Sequence, residues 1–226
     1  MILKLLLSTM ALSLFSCQQH TTIKPQATVV IKDVRIPKSM PWYARFASHS
    51  FIDYRSADSS TWRRIEIVNK DSGIQNYDIE EKTLHAPTRW GNPVHIVSQG
   101  NPDPATTAAA IEQFARKYDD SLYRPWPGPN SNTFTRAIIM EIDGLHGVLE
   151  HNAIGKEHTW HAGPTPGGTG LELKTPLIGT AIGLREGIEL NLLGFTAGLG
   201  IYPPSIKIPF LPQVPLRASM EPKAEQ

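Results

Sequence analysis

The 226-residue chain holds a single cysteine, Cys17, so no intrachain disulfide can brace whatever it folds into. Stability has to come from packing, and 40% hydrophobic against 19% charged residues is enough to bury one sizeable core. The place of that cysteine constrains the chain further. It follows a short apolar run, Leu5 to Phe15, with one cation, Lys4, ahead of the run. A membrane-spanning helix needs ~20 apolar residues, and this run is shorter; cation, apolar stretch and small residue in that order describe a secretory signal. A formal net charge of +1 with no long basic run leaves no electrostatic footprint for nucleic acid.

Leu14, Phe15, Ser16 and Cys17 resemble a bacterial lipobox. The resemblance implies a signal peptide over residues 1–16 and lipid attachment, palmitate included, at Cys17. An ordinary signal peptide with an incidental cysteine is the alternative. Each buried methylene contributes about 0.8 kcal/mol, so two or three chains hold a protein stably on a leaflet where one does not. Gln18 follows the cysteine instead of aspartate, which resembles outer-membrane lipoproteins facing the periplasm of two-membraned bacteria. The expected partner is therefore the membrane, reached through Cys17, and the expected location is the cell envelope.

Residues 17–40 are polar apart from a short β-prone piece, Thr28 to Ile31, and read as an acylated tether with at most one edge strand. A single globular domain is expected over 41–211 and a disordered tail over 212–226. Trp42 to Arg55 and Trp62 to Val68 alternate aromatic and β-branched residues around a serine-rich turn, which predicts an antiparallel hairpin. Asp71 to Pro93 reads as irregular, and Val94 to Gln99 as a third strand. Asp103 as N-cap, Pro104 at the first position and apolar residues at helical spacing through Tyr118 predict a helix. A second helix is expected over Thr133 to Ile142, capped by Asn130 or Ser131. Gly147 to Gly170 reads as a long surface loop. Leu171 to Phe210, glycine-rich and apolar, suggests three or four strands, and its most apolar part, Leu177 to Tyr202, reads as buried sheet despite Arg185, Glu186 and Glu189.

The segment Trp126 to Phe134, WPGPNSNTF, gathers polar side chains where a loop enters a helix. Free N–H groups and a partial positive charge at such a terminus would lower a nucleophile's pKa and supply an oxyanion site for Ser131. Asn and Ser are equally the preferred N-caps, so the local composition also fits a purely structural end. His49, on the first predicted strand, has the pKa to serve as base, and Glu66 on the partner strand could orient its imidazole. The candidate catalytic set is Ser131, His49 and Glu66, with Asn130, Asn132 and Trp126 lining the pocket. Pairing of Glu66 with Arg63 or Arg64 at the surface is the structural alternative.

The strand histidine and the N-x-N-T-F helix start resemble circularly permuted papain-like hydrolases of the NlpC/P60 and lecithin:retinol acyltransferase groups. That resemblance implies a permuted papain-like core, with serine standing where those enzymes carry cysteine. WPGPNSNTF, with Ala153 to Lys156 and Glu186 to Gly194, also resembles a bacterial domain family of unknown function from about Trp42 to Pro209. His146, His151, His158 and His161 match no compact zinc spacing, and neither a metal nor a cofactor is expected. Glu186 and Glu189, if on a strand, would point to opposite faces and make a poor glycosidase pair. Trp62, Trp90 and Trp126, each beside an arginine, suit a cell-wall ligand. The expected fold is α+β, an antiparallel sheet with two main helices. Two functions stay open. One is a lipid-anchored envelope hydrolase or transferase acting on an amide or ester through Ser131 and His49. The other is a non-catalytic module that binds peptidoglycan, lipid or a protein.

Overall fold

The β-prone piece at Thr28 does not stop at Ile31. It runs on through three charged residues as β1 (Val29–Arg35), which lies inside a five-stranded antiparallel sheet. The structure, a computed structural model, describes residues 22–41, 44–56, 59–84 and 91–216; Cys17, Trp42, Arg89 and Trp90 lie outside the described residues. With β2 (Ser48–Tyr54), β3 (Trp62–Ile67), β4 (Ile74–Ile79) and β5 (Val94–Gly100), the spatial order is β4-β3-β2-β1-β5. The expected tether over 17–40 is thus corrected: from Val29 onward it is an interior strand, paired to β2 on one side and β5 on the other. The expected hairpin is present, with Ile52 opposite Ile65, and β4 emerges from a stretch that reads as irregular.

Two helices cover one face of this first sheet. α1 (Pro104–Lys117) starts at Asp103, whose carboxylate accepts from the Ala105 N–H, and α2 (Ser131–Glu141) starts at Asn130 with a full capping box. Strand residues alternate between faces. Val29, Ile31, Ile52, Tyr54, Ile65 and Ile67 turn toward the helices and pack with Phe134, Ile138 and Ile111 in the main core. Val30, Trp62, Ile79 and Ile96 turn the other way and form a smaller cluster with Ala27 and Leu84. Among them lies a buried charged trio: Lys32 donates to Asp53 at 2.6 Å, and Arg64 grips the same carboxylate through Nε at 2.7 Å and Nη2 at 2.9 Å.

The C-terminal third is a second antiparallel sheet, a meander in sequence order. Its strands are β6 (His161–Pro164), β7 (Gly170–Lys174), β8 (Ile178–Gly183), β9 (Gly187–Leu192), β10 (Phe195–Gly200), β11 (Ser205–Lys207) and β12 (Val214–Pro215). Five strands, β7 to β11, fill the span where three or four are expected, β6 and β12 extend the sheet beyond it, and β12 orders the start of the expected tail. The observed class is α+β.

The connection from α2 to β6 is not a surface loop. Leu145, Leu149 and Ala153 enter the main core, and His151, Asn152, Lys156 and Glu157 are buried beside it. This segment and the far side of α2 form the middle layer between the sheets.

The second sheet is inverted in polarity. Its inner face carries Glu172, Lys174, Glu189, Asn191 and Lys207, all buried, while Leu171, Leu173, Ile178, Ile182, Ile188, Leu190, Leu192 and Leu199 point outward and are exposed. The expectation of a buried apolar sheet over Leu177 to Tyr202 is overturned: the strands are there and their apolar side faces out. Small residues at inward positions make room for the long charged chains. A Cβ at Gly183 would collide with the Glu186 carboxylate, and one at Gly179 would press on the Lys174 stem at 2.6 Å.

Candidate functional site

The WPGPNSNTF motif is a junction, and nearly every polar atom in it has a structural task. Asn130 accepts from the N–H groups of Asn132 and Thr133, and its amide donates to Pro125 O and Ile154 O. Thr133 accepts from the Asn130 N–H and donates to Gly155 O at 2.6 Å. Asn132 reaches further. Its Oδ1 accepts from the Ser50 N–H at 2.9 Å and its Nδ2 donates to Ser48 O at 2.9 Å, which mimics a neighbouring strand along the half of β2 that β3 leaves unpaired. The motif therefore welds α2, β2 and the Asn152–Gly155 turn together.

Of the candidate catalytic set, the fold assembles two members. His49 Nε2 meets Glu66 Oε2 at 2.7 Å, and Tyr77 donates to the other Glu66 oxygen at 2.7 Å. Glu66 thus holds the imidazole from the partner strand, and it also acts electrostatically on Arg64. The third member is elsewhere. Residues 48, 50, 52 and 54 of β2 face α2, whereas His49, Phe51 and Asp53 face away from it, and Arg64 stacks on the Phe51 ring in that same layer. His49 is 4% exposed and Glu66 2%, so the pair is sealed inside the layer. Ser131 opens α2 next to Asn132, and among the described residues no hydrogen bond joins it to His49, whose Nε2 is taken up by Glu66. Asn130 and Asn132 are buried struts, which corrects their expected pocket-lining place. Trp126 is half exposed, with its ring 6.2 Å from Phe195 of β10.

Sequence reasoning missed two polar groupings. Asp33 and His95 are register partners on β1 and β5, and His95 Nδ1 lies 3.2 Å from Asp33 Oδ1. This bond, outweighing partial burial, raises the imidazole pKa above its ordinary value. Glu150 lies near them; burial raises its carboxyl pKa, while Arg35 at 3.0 Å acts the other way. The pairing of sequence positions 33 and 95 has no local signal, since only strand register creates it. The second grouping is an open polar cleft of about 510 Å3 lined by Tyr54, Arg55, Ser59, Arg63, Asp78 and Glu112, among others. Burial pushes the Tyr54 hydroxyl up to about 12, so it stays a hydrogen-bond donor, and Arg63 pairs with Glu112 at the cleft wall.

Glu186 and Glu189 both turn inward: Glu186 lies in the turn before β9, so the alternation of a strand does not separate the two. Glu186 accepts from the Gly167 N–H at 2.8 Å, and Glu189 pairs with Lys207 at 2.6 Å. They belong to a balanced buried cluster in which Arg136, Lys156, Lys174 and Lys207 face Glu157, Glu172, Glu186 and Glu189. A cavity of about 20 Å3 closes among them. Burial works against ionisation of Glu157, and Lys156, Lys174 and Arg136 overcome it, holding that carboxyl at about 2. The four histidines of the segment are not gathered: His151 bonds Leu211 O, and His161 bonds Pro164 O.

A family model described as a protein of unknown function, DUF3750, matches residues 29–158. No curated protein and no solved structure matches the chain. The matched span starts with β1 and ends before the second sheet, so it is displaced from the expected Trp42 to Pro209; it takes in the first sheet, both helices and the whole WPGPNSNTF junction. That span is more than half of the chain, which belongs to the DUF3750 family of proteins of unknown function.

Proposed function

We propose that the protein is a lipid-anchored cell-envelope module that works by binding. The observation that carries this reading is the separation of the candidate nucleophile from its base. His49 is held by Glu66 in a buried layer that faces away from α2, and among the described residues no hydrogen bond joins it to Ser131 at the start of that helix. A hydroxyl with no hydrogen bond to a base is a weak nucleophile, and none joins Ser131 to one among the described residues, while the helix terminus around it is occupied by capping bonds. The open cleft beside α1 supports the same reading. Its size suits a small ligand, and its Arg, Tyr, Ser, Asp and Glu lining suits a polar one, such as a sugar or peptide stem of the cell wall. Arg55 over the Trp62 ring at 5.2 Å sets one edge of that cleft.

Two experiments test the proposal. A fluorophosphonate probe is expected to leave wild type and Ser131→Ala equally unlabelled; selective labelling of wild type would restore the hydrolase reading. Cells fed radiolabelled palmitate should label the wild-type chain and not Cys17→Ser. Absence of label from wild type would remove the anchor.

A further inference from the structure

The outer face of the second sheet is a grid with a defined register. Leu171, Ile182, Ile188 and Leu199 form one row across β7 to β10, and Leu173, Thr180, Leu190 and Ala197 the next. Ile178, Leu192 and Phe195 form the third. No charged side chain belongs to these rows. Thr180, the one polar member, spends its hydroxyl on Glu189 O at 2.9 Å. The tips of the hairpins add exposed Leu177, Leu184, Ile201 and Tyr202, and Trp126 leans on Phe195 at the rim. Strands lie about 4.8 Å apart and rise about 3.3 Å per residue, so the grid alone measures roughly 15–20 Å each way, before the hairpin tips and aromatic rim are added. Soluble monomers rarely expose a contiguous apolar patch above a few hundred Å2.

We infer that this face rests on the lipid surface, with its leucine and isoleucine side chains at the acyl boundary. Three observations choose lipid over a protein. A protein interface carries about one hydrogen bond per 100–200 Å2 and a polar rim that fix its orientation, and the grid offers no free donor or acceptor side chain. Acyl chains need none. The rim carries Trp126 and Tyr202, amphipathic rings of the kind that sit at headgroup level. The reach of the chain is compatible: ten Cα–Cα steps lead from Cys17 to buried Ala27, and at about 3.6 Å each they hold Ala27 within ~36 Å of an anchor on Cys17. This last point rests on the anchored reading proposed above.

The same geometry limits the depth. β7 to β10 are five or six residues long, and a strand that crosses a bilayer needs about 9–11. The sheet is also open, ending at β6 and β12, and an open edge is not stable in hydrocarbon. The face therefore lies on one leaflet.

A cysteine placed on the grid would be the only free thiol of an acylated chain, which makes the test direct. Leu190→Cys carrying bimane, in the full chain reconstituted in phosphatidylethanolamine and phosphatidylglycerol vesicles, is expected to lose about half its emission when the acyl chains are brominated. Arg116→Cys, exposed on α1, should lose none. Ile188→Cys repeats the measurement at a second grid position, with circular dichroism confirming the fold of each variant. Equal emission with and without bromine at both grid positions would overturn the inference, as would pyrene excimer emission at position 190, which would assign the face to a second copy. Palmitate label on the same preparation separates the two proposals: label without quenching removes the lipid-facing grid and keeps the anchor, and quenching without label does the reverse.

Discussion

The two sheets of this protein solve the same problem with opposite patterns. The first buries apolar residues on both faces, against the helices on one side and around the Lys32–Asp53–Arg64 trio on the other. The second buries its charges and shows its leucines. Alternation along a strand says only that the two faces differ; which face turns inward depends on what waits there. In the first sheet it is Phe134 and Ile138. In the second it is Arg136, on the opposite side of the same helix, paired to Glu172 and close to Glu157. One helix thus sets both polarities, with an apolar stripe toward one sheet and an arginine toward the other.

The largest effect is expected from breaking the buried charge balance of the second sheet. Glu157→Gln leaves Lys156, Lys174 and Arg136 short of one anion, and breaking a buried pair typically costs about 3–5 kcal/mol. Urea denaturation at pH 7 measures it. The pH dependence carries the sign. The Glu157 pKa is lowered in the folded state to about 2 from an ordinary 4.5, so its contribution is complete above about pH 4.5 and fades as the pH falls toward 2. The gap between wild type and Glu157→Gln should therefore close in acid. A gap that widens on acidification would mean that Glu157 is not the anion the cluster depends on.

A matched pair of isoleucines sharpens the comparison directly. Ile52 and Ile182 lie on interior strands of their respective sheets, at 0% and 58% exposure. Ile52→Ala should destabilise by about 2–5 kcal/mol, as large-to-small changes in a packed core do. Ile182→Ala should stay within about 0.5 kcal/mol, because its side chain is already out of the core. Similar losses at both sites, read by thermal unfolding, would mean that the second sheet hides its outer face against the rest of the chain.

Asn132 tests the junction that the two sheets share through α2. Asn132→Ala deprives the Ser50 N–H and Ser48 O of their partner in a buried setting, which costs about 1–3 kcal/mol. Hydrogen exchange should locate the loss in the first half of β2. Ser131→Ala, one residue away, removes no bond from this junction and should cost less than Asn132→Ala. The reverse order would give Ser131 a role that its surroundings do not suggest.

How much of this was legible in the sequence depended on whether the deciding partner was local. The helix starts were readable because their caps are neighbours: Asp103 before Pro104, and Asn130 three residues before Thr133. The hairpin was readable because aromatic and β-branched alternation survives in both strands. β1 reads as tether because charged Lys32 and Asp33 interrupt its β-prone run. Lys32 is neutralised by Asp53, 21 positions away, and Asp33 meets His95, 62 positions away, and neither partner can be seen before strand register is known. The second sheet failed in the same way: Leu171-Glu172-Leu173-Lys174 announces a strand but not that Arg136 and Glu157 wait on the inside. His49 and Glu66 can be joined from sequence because they are diagonal neighbours in one hairpin, whereas the side His49 takes depends on the parity of β2.

The smallest effect concerns the rim of the first sheet, where a polar pair is neither sealed nor free. His95 has a side chain 43% exposed, and its bond to Asp33 raises its pKa in the folded state. A raised imidazole pKa contributes stability that is complete below the unfolded value near 6.5 and is lost as the pH climbs through the folded value. Solvent screens a pair this exposed, so its contribution is about 0.5 kcal/mol or less. His95→Gln should therefore lower stability slightly at pH 5.5 and leave it unchanged at pH 8.5. Titrating the His95 ring by NMR supplies the sharper measure, since Asp33→Asn should bring its pKa down. An imidazole that titrates at its ordinary value in both chains would make the pairing incidental. Charge pairing would then contribute to stability in this molecule only where burial is complete, as it is around Glu157 and Asp53.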